Sequence, residues 1–199
     1  MSGRKSSKEK LNFSLLKIAN ILNNNNFDKW FIVYGTLLGI VRNNSCIDGD
    51  DDIDIMCDIN DYQKLKDILD KEGFEFDYGY GINQSKFIIK TKESSDLVSI
   101  DFYMAIADKK GNFNDMWEKV IWSNCYIKDT EKFLKINWQN TTLNLPNNYF
   151  KKIRKRYGFF WRMPQKKNTK YKKNRTKLKS FIKKSFLYNF VKVRDSSKI

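Results

Sequence analysis

The chain has 199 residues, 41% of them hydrophobic and 15% aromatic, with a formal net charge of +15, which fits one domain with an ordinary core and some length left for an extension. It contains no histidine, and this excludes Ser-His-Asp and Cys-His catalysis, histidine general bases and imidazole-bound metals. Its three cysteines, Cys46, Cys57 and Cys125, are odd in number and form no CxxC pair, so a reducing, cytoplasmic compartment is expected rather than a disulfide framework or a structural zinc site.

Along the chain, Leu11, Leu15, Ile18 and Leu22 recur at helical spacing, so residues 8–23 are predicted to form an amphipathic helix ending in an asparagine run. Residues 31–34 are a short apolar, β-prone run that predicts a buried strand stopping at Gly35. A short helix is expected over 36–42. Residues 52–57 alternate acid and apolar side chains, the pattern of a strand. Lys64, Leu65, Ile68 and Leu69 fit a helix that ends near Gly73. Residues 87–90 and 97–103 read as strands joined by the polar turn 93–96, and 113–122 as a helix. An extended stretch closes at 143–146, and a helix over 149–157 is halted by Gly158. This order indicates an α+β (mixed α/β) domain, a mixed sheet flanked by helices. No apolar run approaches the roughly 20 residues of a membrane span, and the polar stretch 2–8 lacks the apolar centre of a secretory signal.

The charge is unevenly placed. Residues 151–199 carry 19 Lys and Arg against the single acid Asp195, while residues 1–150 carry 19 Lys and Arg against 22 acids. A Lys/Asn-rich linker is expected from 166 to 175. Beyond it Leu178, Phe181, Ile182, Phe186 and Phe190 recur at helical spacing among lysines, which predicts a basic amphipathic helix. The division is therefore a catalytic domain over 1–165 and a basic extension over 166–199. That extension could dock on the domain or lie on an anionic membrane surface, making the protein peripheral there. No nucleic-acid motif accompanies it, so no specific nucleic acid is expected.

In a strand, successive side chains alternate faces, so Asp52 and Asp54 point the same way. Two carboxylates side by side in a partly buried setting repel each other, and a divalent cation held between them resolves the conflict. Hard oxygen ligands suit Mg2+ or Mn2+. Residues 98–103 repeat the alternation and offer Asp101; if the two strands are neighbours, three carboxylates converge. Such a cluster can clamp a phosphoryl group through metal ions. A solvated acidic loop is the ordinary reading of an acidic run, but Ile53 and Ile55 speak against it. A calcium loop starting at Asp48 fails, because Ile53 and Ile59 stand where glycine and glutamate are required.

The segment before this run, YGTLLGIVR at 34–42, follows an apolar strand and opens a helix. Gly35 permits close backbone approach. Thr36 is expected as the N-cap, with the amides of the helix start turned toward a phosphate and Arg42 reaching one of its oxygens. Gly39 permits close packing of the helix.

Residues 34–55, YGTLLGIVRNNSCIDGDDDIDI, resemble the signature of the LicD/fukutin family. Leu145-Pro146, Tyr149, Tyr157-Gly158, Trp161 and Pro164 resemble that family's C-terminal element. The resemblance implies a nucleotidyltransferase-like fold and an enzyme moving phosphocholine or ribitol phosphate from a CDP-linked alcohol donor to a hydroxyl of a glycan or glycolipid acceptor. It makes Asp52, Asp54 and Asp101 the catalytic, metal-holding acids. Gly35, Thr36, Arg42, Asp50 and Asp51 form the substrate-binding set. Asp48, Gly49 and Asn43 depart from the family pattern at the rim of the expected pocket. Two other functions share part of this evidence: a true nucleotidyltransferase releasing pyrophosphate, and a basic adaptor acting through 166–199 without catalysis.

Overall fold

Leu11, Leu15, Ile18 and Leu22 are all fully buried on one stripe of α1 (Lys8–Asn24) in a computed structural model that describes residues 5–79 and 85–164. The helix starts where Ser7 accepts a bond from the Lys10 amide and Asp48 Oδ1 accepts one from Lys8, two acceptors that satisfy otherwise orphaned donors. Ser14 ties it to the sheet: its hydroxyl accepts the Val98 amide at 3.0 Å.

Among the described residues the sheet has six strands. β1 (Trp30–Ile32) runs antiparallel to β2 (Asp52–Asp58), and β2 pairs in parallel with β4 (Ser99–Ala107). β3 (Ile88–Lys90) lies antiparallel on the other edge of β4, followed there by β5 (Phe113–Asp115) and β6 (Val120–Trp122). Between β1 and β2 comes α2 (Tyr34–Asn43), and between β2 and β3 comes α3 (Tyr62–Lys71). β7 (Leu134–Trp138) and β8 (Thr141–Leu145) form a separate hairpin, with β8 against α1 and β1. α4 (Tyr149–Tyr157) follows and ends at Gly158, whose φ of +89° suits glycine.

The strand expected at 52–57 is buried on both faces rather than one, because α1 and α2 both pack against β2. Ile53, Ile55, Met56, Cys57, Ile100, Phe102 and Met104 make this central pair the core, as is usual for a parallel pairing. Phe31, Phe113, Phe133, Tyr126 and Trp122 extend it as an aromatic cluster of edge-to-face and tilted ring contacts.

Two sequence expectations are corrected here. Residues 113–122 form the β5–β6 hairpin, not a helix. The buried Asp115 accepts the amides of Trp117 and Glu118, and Lys119 turns at a φ of +56°; together they reverse the chain. Thr36 is not the N-cap of α2: the helix begins at Tyr34 with Val33 in the cap position, and the Thr36 hydroxyl is used by the Asp54 amide instead.

Gly39 faces the loop that returns from α2 to β2. A Cβ there would meet the Ser45 carbonyl oxygen at 2.6 Å and the Ile47 nitrogen at 3.0 Å. These are backbone atoms, so the clash cannot be relieved by a rotamer. Gly39→Ala should therefore destabilise by about 1–3 kcal/mol, the usual range of overpacking. Thermal unfolding should report it as a fall of about 2–4 °C per kcal/mol; an unchanged melting temperature would show that the loop moves freely.

The chain divides into two units, Met1–Phe160 and Trp161–Ile199. Of the second only 161–164 is described, a turn in which the Arg162 guanidinium lies 4.4 Å from the Trp161 ring centroid. The expected linker and basic helix lie outside the described residues. No helix among the described residues is long and apolar enough to cross a membrane.

Candidate active site

The site is set by one register. In the parallel pairing of β2 with β4, Asp54 stands opposite Asp101 and Asp52 opposite Ser99, so the three carboxylates expected to converge share one face of adjacent strands. Asp54 is 7% exposed and Asp101 8%. Asp52 lies at the mouth with Asp50 and Asp51, and one carboxylate oxygen from each of these three falls within 4.8 Å of the others.

The first turn of α2 is stitched to Asp54. Gly35 donates its amide to Asp54 Oδ2 at 2.9 Å, the Asp54 amide donates to Thr36 Oγ1 at 2.9 Å, and the Val33 amide donates to the Asp54 carbonyl at 3.1 Å. Gly35 is needed for closeness rather than for an unusual φ: a Cβ there would lie 2.6 Å from Asp50 Oδ2 and 3.4 Å from Asp54 Oδ2. Gly35, Thr36, Asp50 and Asp54 are thus one assembly. Arg42 is not drawn into it. It stands in the last turn of α2, its Nε is buried without a hydrogen-bond partner, and no ion pair joins it to the acidic run among the described residues.

Several residues were not found from the sequence. The Tyr103 hydroxyl donates to Asp54 Oδ1 at 3.1 Å, so both oxygens of Asp54 are held. Tyr103 follows Asp101 by two on the same strand, and that spacing could have revealed it. Lys90, opposite Asp101 in the β3–β4 register, donates to Asp101 Oδ1 and lies 4.0 Å from Asp52 Oδ2; the hairpin turn expected at 93–96 is the signal that could have placed it. Tyr34, at a φ of +46°, packs its ring on Tyr103 and Trp122 and donates its hydroxyl to Asp115 Oδ2 at 2.5 Å. The Arg156 guanidinium lies 4.0 Å from the Tyr34 ring centroid. Burial above all pushes the Tyr157 phenol up to about 12 against the pull of Arg156, with the Asp54 and Asp50 charges adding to the rise.

The carboxylates are electrostatically crowded. Burial, then the charges of Asp101 and Asp51, push Asp52 up to about 7 against the opposing pull of Lys90. Asp54 is raised well above the usual range by burial and by Asp52, Asp101 and Asp50, which outweigh the Gly35 amide. Asp101 is raised by burial although Lys90 pulls it down. A separate cleft of about 690 Å³, bounded by Lys109, Tyr126, Lys128, Thr130 and Asn147, contains none of these acids.

Crowding of this kind sets a pH dependence. The unfolded chain releases the Asp52 proton near 3.8, whereas the folded protein keeps it to about 7. Because the folded form then binds more protons, stability falls as pH rises through that window. The slope approaches about 1.4 kcal/mol per pH unit for one such group. In EDTA, melting temperature should drop as pH rises between about 4 and 7. A profile that rises across this range would mean that the acids are not crowded.

Comparison with known proteins bears on the family and the fold. The family described as LicD/FKTN/FKRP, nucleotidyltransferase domain, matches residues 28–165. No curated protein matches the sequence. Among solved structures, the lincosamide antibiotic adenylyltransferase LnuA, in its lincomycin-bound crystal structure, is similar over 72% of this chain and 82% of its own, at 13% identity and a TM-score of 0.50. A Thermotoga maritima protein described as a nucleotidyltransferase is similar over 83% of this chain and 91% of its own, at 14% identity; its TM-score of 0.40 is too low to carry weight. The fold is that of the nucleotidyltransferases, and family and fold together suggest a transferase. With its match spanning residues 28–165, the chain belongs to the LicD/FKTN/FKRP family of nucleotidyltransferase domains.

Proposed function

We propose that this protein transfers a phospho-alcohol group, of the phosphocholine or ribitol-phosphate kind, from a CDP-linked donor to a hydroxyl of a glycan or glycolipid. The observation that carries the reading is the buried pair Asp54 and Asp101, opposite each other on adjacent strands with Asp52 beside them. Their charges work against one another, and one lysine offsets them only in part. An oxygen-only donor set suits Mg2+ or Mn2+, so Asp52, Asp54 and Asp101 would hold such an ion, with Asp52 also belonging to the group Asp50, Asp51 and Asp52, which bring one carboxylate oxygen each within 4.8 Å of the others. When bound, the ion supplies Lewis-acid neutralisation of the donor's phosphate oxygens.

The chain's own residues do the positioning. Gly35 and Tyr103 fix the Asp54 carboxylate from two sides, and the absence of a Cβ at Gly35 leaves room for close approach. Thr36 acts through the Asp54 main chain rather than as a direct ligand. In the reaction the acceptor oxygen bonds to the phosphorus that carries the alcohol. The bond from that phosphorus to the CMP oxygen breaks, CMP leaves, and the hydroxyl proton passes to a base.

The test is a set of CDP-linked alcohols incubated with the protein, Mg2+ or Mn2+ and a sugar acceptor, with CMP as the readout. CMP release that depends on both donor and ion supports the proposal. Pyrophosphate release from nucleoside triphosphates, with no CMP from any CDP donor, would replace it with nucleotidyl transfer. Loss of all turnover with retained binding to anionic vesicles through 166–199 would replace it with the adaptor reading.

A further inference from the structure

We propose that Lys90 is a tethered cation of the acidic cluster: it holds Asp101 and Asp52 in the ion-free protein and must release them when a divalent ion binds. The inference rests on the reading of that cluster as an ion site. It assigns a role to a residue on β3, a strand outside both sequence motifs.

Three observations carry it. The β3–β4 register puts Lys90 directly opposite Asp101. Its ammonium donates to Asp101 Oδ1 and stands 4.0 Å from Asp52 Oδ2. All three side chains are largely out of water, at 19% exposure for Lys90, 11% for Asp101 and 23% for Asp52. At such burial a charge pair is weakly screened by salt and is far stronger than its surface counterpart.

The charge balance then sets the direction of the effect. A lysine brings a single positive charge and three donors on a flexible four-carbon stem. Set against Asp101 and Asp52, it offsets part of the repulsion within the cluster. A divalent ion brings twice the charge but needs oxygens of the same carboxylates. Lys90 at its observed position would repel that ion and would compete with it for Asp101 Oδ1. Ion entry therefore requires the ammonium to leave, and the length of its stem permits this without moving β3. Lys90 on this account is a positioning residue, acting through the carboxylates it holds. It keeps them from flying apart when the site is empty, and it sets a threshold on ion affinity.

The test is Mn2+ affinity in the absence of any nucleotide, by calorimetry, for the wild type, Lys90→Met and Lys90→Arg. Lys90→Met removes the competing charge at similar length and should bind Mn2+ at least about tenfold more tightly. Its melting temperature in EDTA should be lower than wild type and should be restored by Mn2+. Lys90→Arg keeps the charge and should bind no more tightly than wild type. A second measurement does not depend on any variant folding. In the wild type, the Lys90 ammonium should give a protected nitrogen-proton NMR signal in EDTA that is lost as Mg2+ saturates the site. Unchanged or weaker Mn2+ binding in a folded Lys90→Met, or an ammonium signal that persists at saturating Mg2+, overturns the inference and leaves the ion site standing. No Mn2+ binding by either wild type or Lys90→Met overturns the ion site itself, and this inference with it.

Discussion

Asp54→Asn should lower turnover by about 10³-fold or more while leaving the ion-free protein at least as stable as the wild type. Asp54 is the most enclosed acid of the cluster, with Gly35 and Tyr103 on its two oxygens. Asparagine keeps the shape and most of the bonding. Its carbonyl can accept the Gly35 amide, and its amide can donate to a rotated Tyr103 hydroxyl. What it loses is a negative charge. An ion that neutralises phosphate is worth several kcal/mol in the transition state, and each 1.36 kcal/mol is tenfold in rate. A neutral side chain also suits this position, where burial already raises the Asp54 carboxyl well above the usual range, so melting temperature in EDTA should hold or rise. Near-normal rates in a folded Asp54→Asn would falsify the assignment of Asp54 to the reacting centre. A large fall in stability would mean instead that the carboxylate is mainly structural.

Gly35→Ala should cost about 10²-fold in rate, the scale of an ångström-level displacement at a reacting centre, with a smaller loss of stability than Gly39→Ala. The contrast comes from what each new methyl meets. At Gly39 it meets main chain, and a loop must shift. At Gly35 it meets the Asp50 carboxylate at 2.6 Å and that of Asp54 at 3.4 Å, and a carboxylate can swing aside. The fold survives, but the acids no longer sit where the ion and donor need them. Parallel rate and melting measurements on both variants check this; equal damage to stability at the two positions would remove the distinction.

The contrast also shows which parts of the molecule its sequence reveals. Helices whose apolar stripe is local were readable: residues 149–157 form α4 with the expected bounds, and the stripe from Leu11 to Leu22 is buried as predicted. The helix expected over 113–122 did not form, although Phe113, Met116, Trp117 and Val120 also recur at helical spacing. There the stripe never forms a buried face, since Phe113 is buried while Met116 is 40% and Trp117 37% exposed. A single buried carboxylate, Asp115, turns the chain into a hairpin by taking two amides. The acidic cluster was legible because period-two alternation recurs in β2 and β4. Lys90 was not named, although the hairpin turn expected at 93–96 brings its strand against that of Asp101. Thr36 was expected as the N-cap, but its hydroxyl takes the Asp54 amide, since a hydroxyl at a helix start serves equally as a cap or as an acceptor for a neighbouring strand.

The acidic loop is fastened from upstream as well as from its own strand. Ser6 donates its amide to the Asp50 carbonyl and accepts the Gly49 amide on its own carbonyl, while the Lys8 amide reaches Asp48. These residues, and the whole of α1, precede the range 28–165 over which the family is recognised. A fragment trimmed to that range would lose the backbone clasp on Asp50 and would uncover the face of β2 that α1 packs against. For expression, crystallisation or fusion to a reporter, the smallest unit able to keep its acids in register therefore begins ahead of Ser6. A tag attached there needs slack before that residue rather than after it.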